Sequence, residues 1–169
     1  MSGRVLVAYG TNHGSTAEVA ASIAASLSEQ GLSTVVLAAR DVGNLEGFDG
    51  VVLGGALYMG RVHKEVRRLL ARFHGELAAL PVAVFAMGPL NMEPKQVAES
   101  EQQLERALAK ASDVKPIATA IFGGVVKPEE LHFPFSKMPE TDARDWDAID
   151  AWAREVGEAF ALSRAALAV

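Results

Sequence analysis

Five short apolar runs without internal polar alternation constrain this chain more than anything else in it. They cover residues 5–9, 35–38, 51–53, 82–87 and 117–122, and all but the second stop at glycine. A strand that is apolar at every position is buried on both faces, the usual state of strands in a parallel sheet between helices. The stretches between the runs supply the helices. Residues 15–30 carry Val19, Ile23 and Leu27 at four-residue spacing, and Gly31 is a natural stop. Their start, Ser15-Thr16-Ala17-Glu18, spells a capping box. Residues 61–74 place Val62, Val66, Leu69, Leu70 and Phe73 on one face, and residues 95–111 carry Val97, Leu104 and Leu108. Residues 142–164 carry Ile149, Ala153, Val156 and Phe160, with Asp142 as the expected N-cap. The link 40–48 is too short to predict a helix.

Strands alternating with helices form right-handed parallel βαβ units. The expected fold is therefore α/β, a three-layer doubly wound architecture around a five-stranded parallel sheet of order 2-1-3-4-5. At 169 residues, the chain is read as one domain over 1–169. Residues 123–141 form the longest irregular stretch, and Pro128, Pro134 and Pro139 speak against a continuous helix there. A long loop at a strand's C-terminal end is more often functional than idle.

Composition narrows the chemistry. The chain has no cysteine, which removes disulfides, thiolate nucleophiles, iron–sulfur clusters and thiolate zinc sites. Redox chemistry would have to come from a bound cofactor. The four histidines (His13, His63, His74 and His132) are not spaced as metal ligands, so no metal is expected. A net charge of −5 argues against general nucleic-acid binding. Residues 1–5 hold one basic residue and no long apolar stretch, and no apolar run approaches 18 residues. The expectation is a cytoplasmic protein without a signal peptide or a membrane span.

The sharpest motif is Gly10-Thr11-Asn12-His13-Gly14-Ser15-Thr16, set between the first strand and the first helix. Backbone N–H groups there can surround a phosphate, and the helix N-terminus favours its charge. Thr11, Ser15 and Thr16 add hydroxyls, and Gly14 admits a close approach. No Gly-Lys-Ser/Thr ends the loop and no lysine enters it, so a monophosphate fits better than a nucleoside triphosphate. The alternative is an ordinary polar turn, but the position at a doubly wound switch point favours a ligand.

Residues 11–16 resemble the FMN-phosphate loop of flavodoxins, Thr/Ser-x-Thr-Gly-x-Thr, with His13 in place of the usual third-position hydroxyl. The segment from Phe48 through Asp49-Gly50-Val51-Val52-Leu53-Gly54-Gly55-Ala56-Leu57-Tyr58-Met59-Gly60 to His63-Lys64-Glu65 is similar to that of the menaquinone-dependent protoporphyrinogen dehydrogenase group. The resemblance covers nearly the whole chain and implies a flavodoxin-like fold that binds FMN. It makes Ala56, Leu57, Tyr58, Met59, Gly60 and Arg61 the first isoalloxazine loop. It makes Gly88, Pro89, Leu90, Asn91, Met92 and Glu93 the second, and adds Gly123 and Gly124 to the site. Tyr58 either faces the flavin ring or covers the edge of the core. Met59 and Met92 either pad the ring or fill gaps. The second loop lacks the aromatic found in many carrier flavodoxins. His13 approaches the phosphate or ribityl chain, or faces solvent. His74 is expected on the surface, and Trp146 and Trp152 pack the last helix on the sheet.

The stretch Arg61, Lys64, Arg67, Arg68 and Arg72 against Glu65 is locally +4, a solvated face or a surface for carboxylates, an acidic partner or a peripheral membrane contact. The resemblance implies an FMN-dependent oxidoreductase that dehydrogenates protoporphyrinogen with a quinone as acceptor. No side-chain acid or base is required for simple electron passage, so no catalytic residue is assigned. The dehydrogenases of that group carry a longer insertion after the last strand than residues 123–141 provide. The alternatives are an electron carrier between redox partner proteins, and a flavin-free binding module of the same fold. A phosphoacceptor receiver is disfavoured, because the third strand ends in Leu53-Gly54-Gly55 rather than an aspartate.

Overall fold

A computed structural model describes residues 3–167. Met1 and Ser2 of the amino-terminal stretch, together with Ala168 and Val169, lie outside the described residues. The long elements follow in the expected order: β1 (Arg4–Gly10), α1 (Ser15–Glu29), β2 (Ser33–Ala38), β3 (Gly50–Tyr58), then the short β4 (Arg61–Val62). After it come α2 (Lys64–Ala78), β5 (Val82–Met87), α3 (Pro94–Ala109), β6 (Ala118–Phe122), β7 (Val125–Val126), β8 (Thr141–Asp142) and α4 (Trp146–Leu167).

The central sheet runs β2-β1-β3-β5-β6, with neighbouring strands parallel. Counted over its five long strands, that is the predicted 2-1-3-4-5. Alternate side chains of these apolar strands feed two separate cores, which is why the runs show no polar alternation. Leu6, Ala8, Val51, Leu53, Val84 and Ala86 meet Val66, Leu69, Leu70 and Phe73 of α2 and Leu104 and Ala107 of α3. Val5, Val7, Val52, Ala83, Phe85 and Met87 meet Val19, Ile23 and Leu27 of α1 and Ile149, Ala153, Val156 and Phe160 of α4. Each such fully buried Val, Leu, Ile or Phe contributes about 1.5–3 kcal/mol of apolar burial. Trp152 closes the second core as expected, edge-on to Phe85 and Phe122 at centroid distances of 5.9 and 5.7 Å. Trp146 is 43% exposed, and the Arg144 guanidinium lies 4.9 Å from its ring centroid.

Helix starts differ most from expectation. The helix expected from residue 61 begins at Lys64, because Arg61 and Val62 pair with Tyr58 and Leu57 instead. The turn between them uses Met59 at φ 52° and Gly60 at φ 77°. Two consecutive left-handed residues are what a two-residue hairpin turn of type I′ requires. The first flavin loop expected over residues 56–61 is thus a strand end and a hairpin. The capping box at Ser15 does not form. Gly14 is the N-cap in a left-handed conformation (φ 88°) with no side-chain cap, and Glu18 reaches Arg144 instead. Asp142 does not cap α4, since it lies in β8. Asp145 takes that place, accepting from Ala148 N–H through Oδ1 at 3.1 Å. Residues 123–141 are not uniformly irregular: Val125–Val126 pair antiparallel with Thr141–Asp142, bracketing short 3-10 turns at Pro128–Glu130 and Phe135–Lys137.

Candidate functional site

The connections from β1 and β3 leave the sheet toward opposite faces: α1 packs in one core and α2 in the other. Neighbouring strands whose crossovers diverge leave a crevice at their C-terminal ends. A cleft of about 270 Å³ occupies that position. Thr11, Asn12, His13 and Ser15 form one end, and Ala56, Leu57, Tyr58 and Met59 one side. Gly88 and Leu90 come from the loop after β5, and Met87 lies with them. Residues 124–127, Glu130, Leu131 and Met138 form the opposite wall.

At the polar end, backbone N–H groups already converge. The amides of His13 and Gly14 both donate to Thr11 Oγ1, at 3.3 and 3.0 Å. The loop is tied to α2 by His63, whose Nε2 lies 2.8 Å from Asn12 Oδ1. Thr16 is fully buried just behind the loop, and its Oγ1 has no hydrogen-bond partner among the described residues. An unpartnered buried hydroxyl costs about 1–3 kcal/mol. The loop thus gathers two amides on the Thr11 hydroxyl at a helix N-terminus, where a bound anion would take over those hydrogen bonds.

The remaining lining is mostly apolar. Tyr58 is 51% and Met59 73% exposed at the hairpin tip. The second loop is fastened from below: Leu90 and Asn91 amides donate to Gln96 Oε1 at 3.0 and 3.4 Å. Gly124 N–H donates to Pro89 O at 2.9 Å, joining that loop to the opposite wall. Across the polar end, His13 Nδ1 lies 3.8 Å from Glu130 Oε2.

The profile of the flavodoxin domain matches residues 6–138. This chain belongs to that family. Among curated proteins, it is similar to the protoporphyrinogen IX dehydrogenase [quinone] of Escherichia coli K12, at 23% identity over 90% of this chain and 94% of that one. Among solved structures, it is similar to a cysteine-to-serine mutant of flavodoxin from Pseudomonas aeruginosa, with a TM-score of 0.61 and 18% identity over 93% of this chain and 98% of that one. An apo NADH:FMN oxidoreductase matches with a TM-score of 0.60 at 14% identity, covering 96% of this chain and 90% of that one.

Within this flavodoxin domain, the sequence-predicted residues divide in two. Thr11, Asn12, His13, Ser15, Ala56, Leu57, Tyr58, Met59, Gly88, Leu90 and Gly124 line the cleft. Gly14 caps α1 and Thr16 sits behind the loop, so neither lines it. Gly60 and Pro89 face a neighbouring groove against α3. The Asn91 side chain accepts from Glu93 N–H at 3.0 Å. Gly123 is backed by Ala143, whose carbonyl leaves no room for a side chain. Sequence reading missed Met87, Val125, Val126, Lys127, Glu130, Leu131 and Met138. The length of the 123–141 loop pointed at the segment, but nothing local marked which of its residues turn inward.

The basic face of α2 is partly engaged in holding the fold. Arg67 Nε donates to Val62 O at 2.9 Å, Arg68 pairs with Glu65, and the Arg72 guanidinium lies 4.8 Å from the Phe73 ring centroid. Arg61 and Lys64 are exposed beside the hairpin. His74 is on the surface as expected, its Nδ1 2.6 Å from Asp113 Oδ2. Among the described residues, no helix is long and apolar enough to cross a membrane.

Proposed function

We propose that this chain is an FMN-dependent oxidoreductase built as one flavodoxin-like domain over residues 1–169. The observation that carries the reading is the join of an anion-binding loop to a mostly apolar cleft at the switch point of the sheet. The residues fit the group. The His13 and Gly14 amides and the Thr11, Ser15 and Thr16 hydroxyls would hold a phosphate without a cation. Thr16 Oγ1 is the hydroxyl of that set with no partner among the described residues. Ala56, Leu57, Tyr58, Met59, Gly88, Leu90 and Gly124 would hold the flat ring, with Met87 and Val126 completing an apolar bed.

FMN when bound supplies the electron-accepting and electron-donating chemistry; the protein binds it, orients it and sets its electrostatics. Lys127 brings a cation and Glu130 an anion into the lining, and their balance would set the field on a bound ring. Tyr58 and Met59 at the mouth stand where a second reactant would enter. The likeness to a protoporphyrinogen dehydrogenase supports a porphyrinogen-type donor and a quinone-type acceptor. The exposed hairpin tip supports a second reading, electron transfer to a redox partner protein.

Purification followed by an absorbance spectrum and flavin identification tests the cofactor. Loading with FMN and mixing with a porphyrinogen, a reduced quinone, or a flavodoxin reductase supplied with NADPH separates the readings. Bleaching by either small molecule supports the dehydrogenase. Bleaching by the reductase alone supports the carrier. A colourless protein that ignores added FMN contradicts both and leaves a flavin-free binding module.

A further inference from the structure

The His63 side chain is 8% exposed and is held at both ring nitrogens. Nδ1 accepts from the Glu65 N–H at 3.2 Å, making His63 the N-cap of α2. A nitrogen that accepts carries no proton, so the proton is on Nε2, and Nε2 donates to Asn12 Oδ1 at 2.8 Å. The imidazole packs against the end of β1 at Gly10. A Cβ on Gly10 would fall 2.6 Å from His63 Nδ1, so the bare Gly10 is what admits the ring. Asn12 is the second residue beyond that strand and lines the cleft. With Oδ1 committed to His63, its side-chain N–H donors are turned away from the ring.

We propose that His63 is a positioning residue that latches the phosphate loop in its binding geometry through Asn12. The proposal rests on the FMN reading for its ligand, but the latch itself is a property of the chain. Within residues 11–14 the Thr11 hydroxyl bonds only the loop's own amides among the described residues, and His13 reaches toward Glu130. The tie through Asn12 comes from the far side of the switch point, 51 positions along the chain. The latch fixes where the convergent amides sit before a ligand arrives, lowering the ordering cost at binding. Burial and the single neutral tautomer make the contact directional: one donor, one acceptor, no exchange of roles.

Two substitutions separate the latch from the helix cap. His63→Asn keeps an acceptor for Glu65 N–H, since asparagine caps helices well, but is too short to reach Asn12. His63→Gln carries its amide nitrogen about as far out as Nε2. The probe is FMN, followed by quenching of its fluorescence. Wild-type protein is expected to bind it. His63→Asn and Asn12→Ala should each weaken binding about 10-fold, and the double variant should be no weaker than the weaker single one. His63→Gln should stay within about threefold of wild type. In FMN-free protein, amide exchange over residues 11–14 should accelerate in His63→Asn while the interior of α2 keeps its protection. Losses that multiply in the double variant, equal losses in His63→Gln and His63→Asn, or unchanged exchange over 11–14 would overturn the latch. Failure of wild-type protein to bind FMN would instead overturn the proposed function, and the exchange measurement would then decide the latch by itself.

Discussion

The two ends of the cleft are built by different means. Residues 11–16 form a contiguous segment whose amides converge mainly through residues within it: the Thr11 hydroxyl gathers two of them, Gly14 takes the left-handed turn into α1, and one outside tie comes from His63 to Asn12. The opposite wall, residues 124–138, is bracketed by the two-residue ladder of β7 and β8. Its closing strand is pinned by Arg144, which is nearly buried and pairs with Asp142 at 2.7 Å and with Glu18 of α1. The Asp142 hydrogen bond comes first in holding the guanidinium above its ordinary pKa, and it holds the Asp142 carboxyl below its own. A wall built from local backbone chemistry can be read along the chain. A wall whose closing strand is tied to α1 through Arg144 and Glu18, 126 positions apart, cannot.

The largest expected effect is on the distant wall. Arg144→Ala removes hydrogen bonds to two carboxylates from a nearly buried site and should lower stability by about 2–3 kcal/mol in urea unfolding. Amide exchange should rise over 125–142 and stay unchanged over 11–16. Equal acceleration at both ends would erase the contrast. Gly10→Ala strikes the other end. Its Cβ would lie 2.6 Å from His63 Nδ1 and 3.0 Å from Val66 Cγ2. A loss of about 2 kcal/mol is expected from overpacking, with weaker FMN binding; full retention of both would show that the His63 ring has room to move.

Thr16→Val should split in sign. Removing the unpartnered buried hydroxyl should stabilise the FMN-free protein by about 1 kcal/mol and weaken FMN binding by about the same amount. A change of one sign in both measurements would remove Thr16 from the site. Met59→Asn relieves a left-handed conformation at the hairpin and should raise stability by about 0.5 kcal/mol, since asparagine tolerates that region. A lower melting temperature would show that the Met59 side chain contributes more than its backbone costs.

The smallest effect is on pH. Burial lowers the His63 pKa below 6.5, opposed by Glu65 and assisted by Lys64, Arg67 and Arg40. The folded state thus prefers the neutral ring. Its contribution is complete above about pH 6.5 and is lost as pH falls from there through the lowered folded value. Melting temperatures of wild type and His63→Asn should diverge least at low pH. Parallel curves from pH 8 to 5 would contradict the buried neutral assignment.

The strands were legible because two-sided burial writes itself as unbroken apolar runs, as over residues 5–8 and 82–87. Residues 11–15 were legible because phosphate-loop chemistry is local. The hairpin at Met59 and Gly60 was not, because a two-residue ladder has no periodicity and methionine does not advertise a left-handed backbone. Asp145 rather than Asp142 caps α4 because the β7–β8 pairing takes Asp142 first, a choice made between distant segments. Lys127, Glu130 and Met138 carry no local signal that singles them out within the 123–141 loop, and the ladder that turns their segment over the cleft is what brings them in. His63 was visible only as one of four histidines and as part of the 48–65 segment; its tie to Asn12 depends on a ring fitted against Gly10.

The central claim is that the loop and the cleft together form one FMN site. Titration of the cysteine-free chain with FMN, followed by heat and by flavin fluorescence, tests it most directly. One FMN per chain should bind with quenched fluorescence, and Thr16→Val should bind more weakly. No heat and no change in fluorescence with the wild-type chain would contradict the claim.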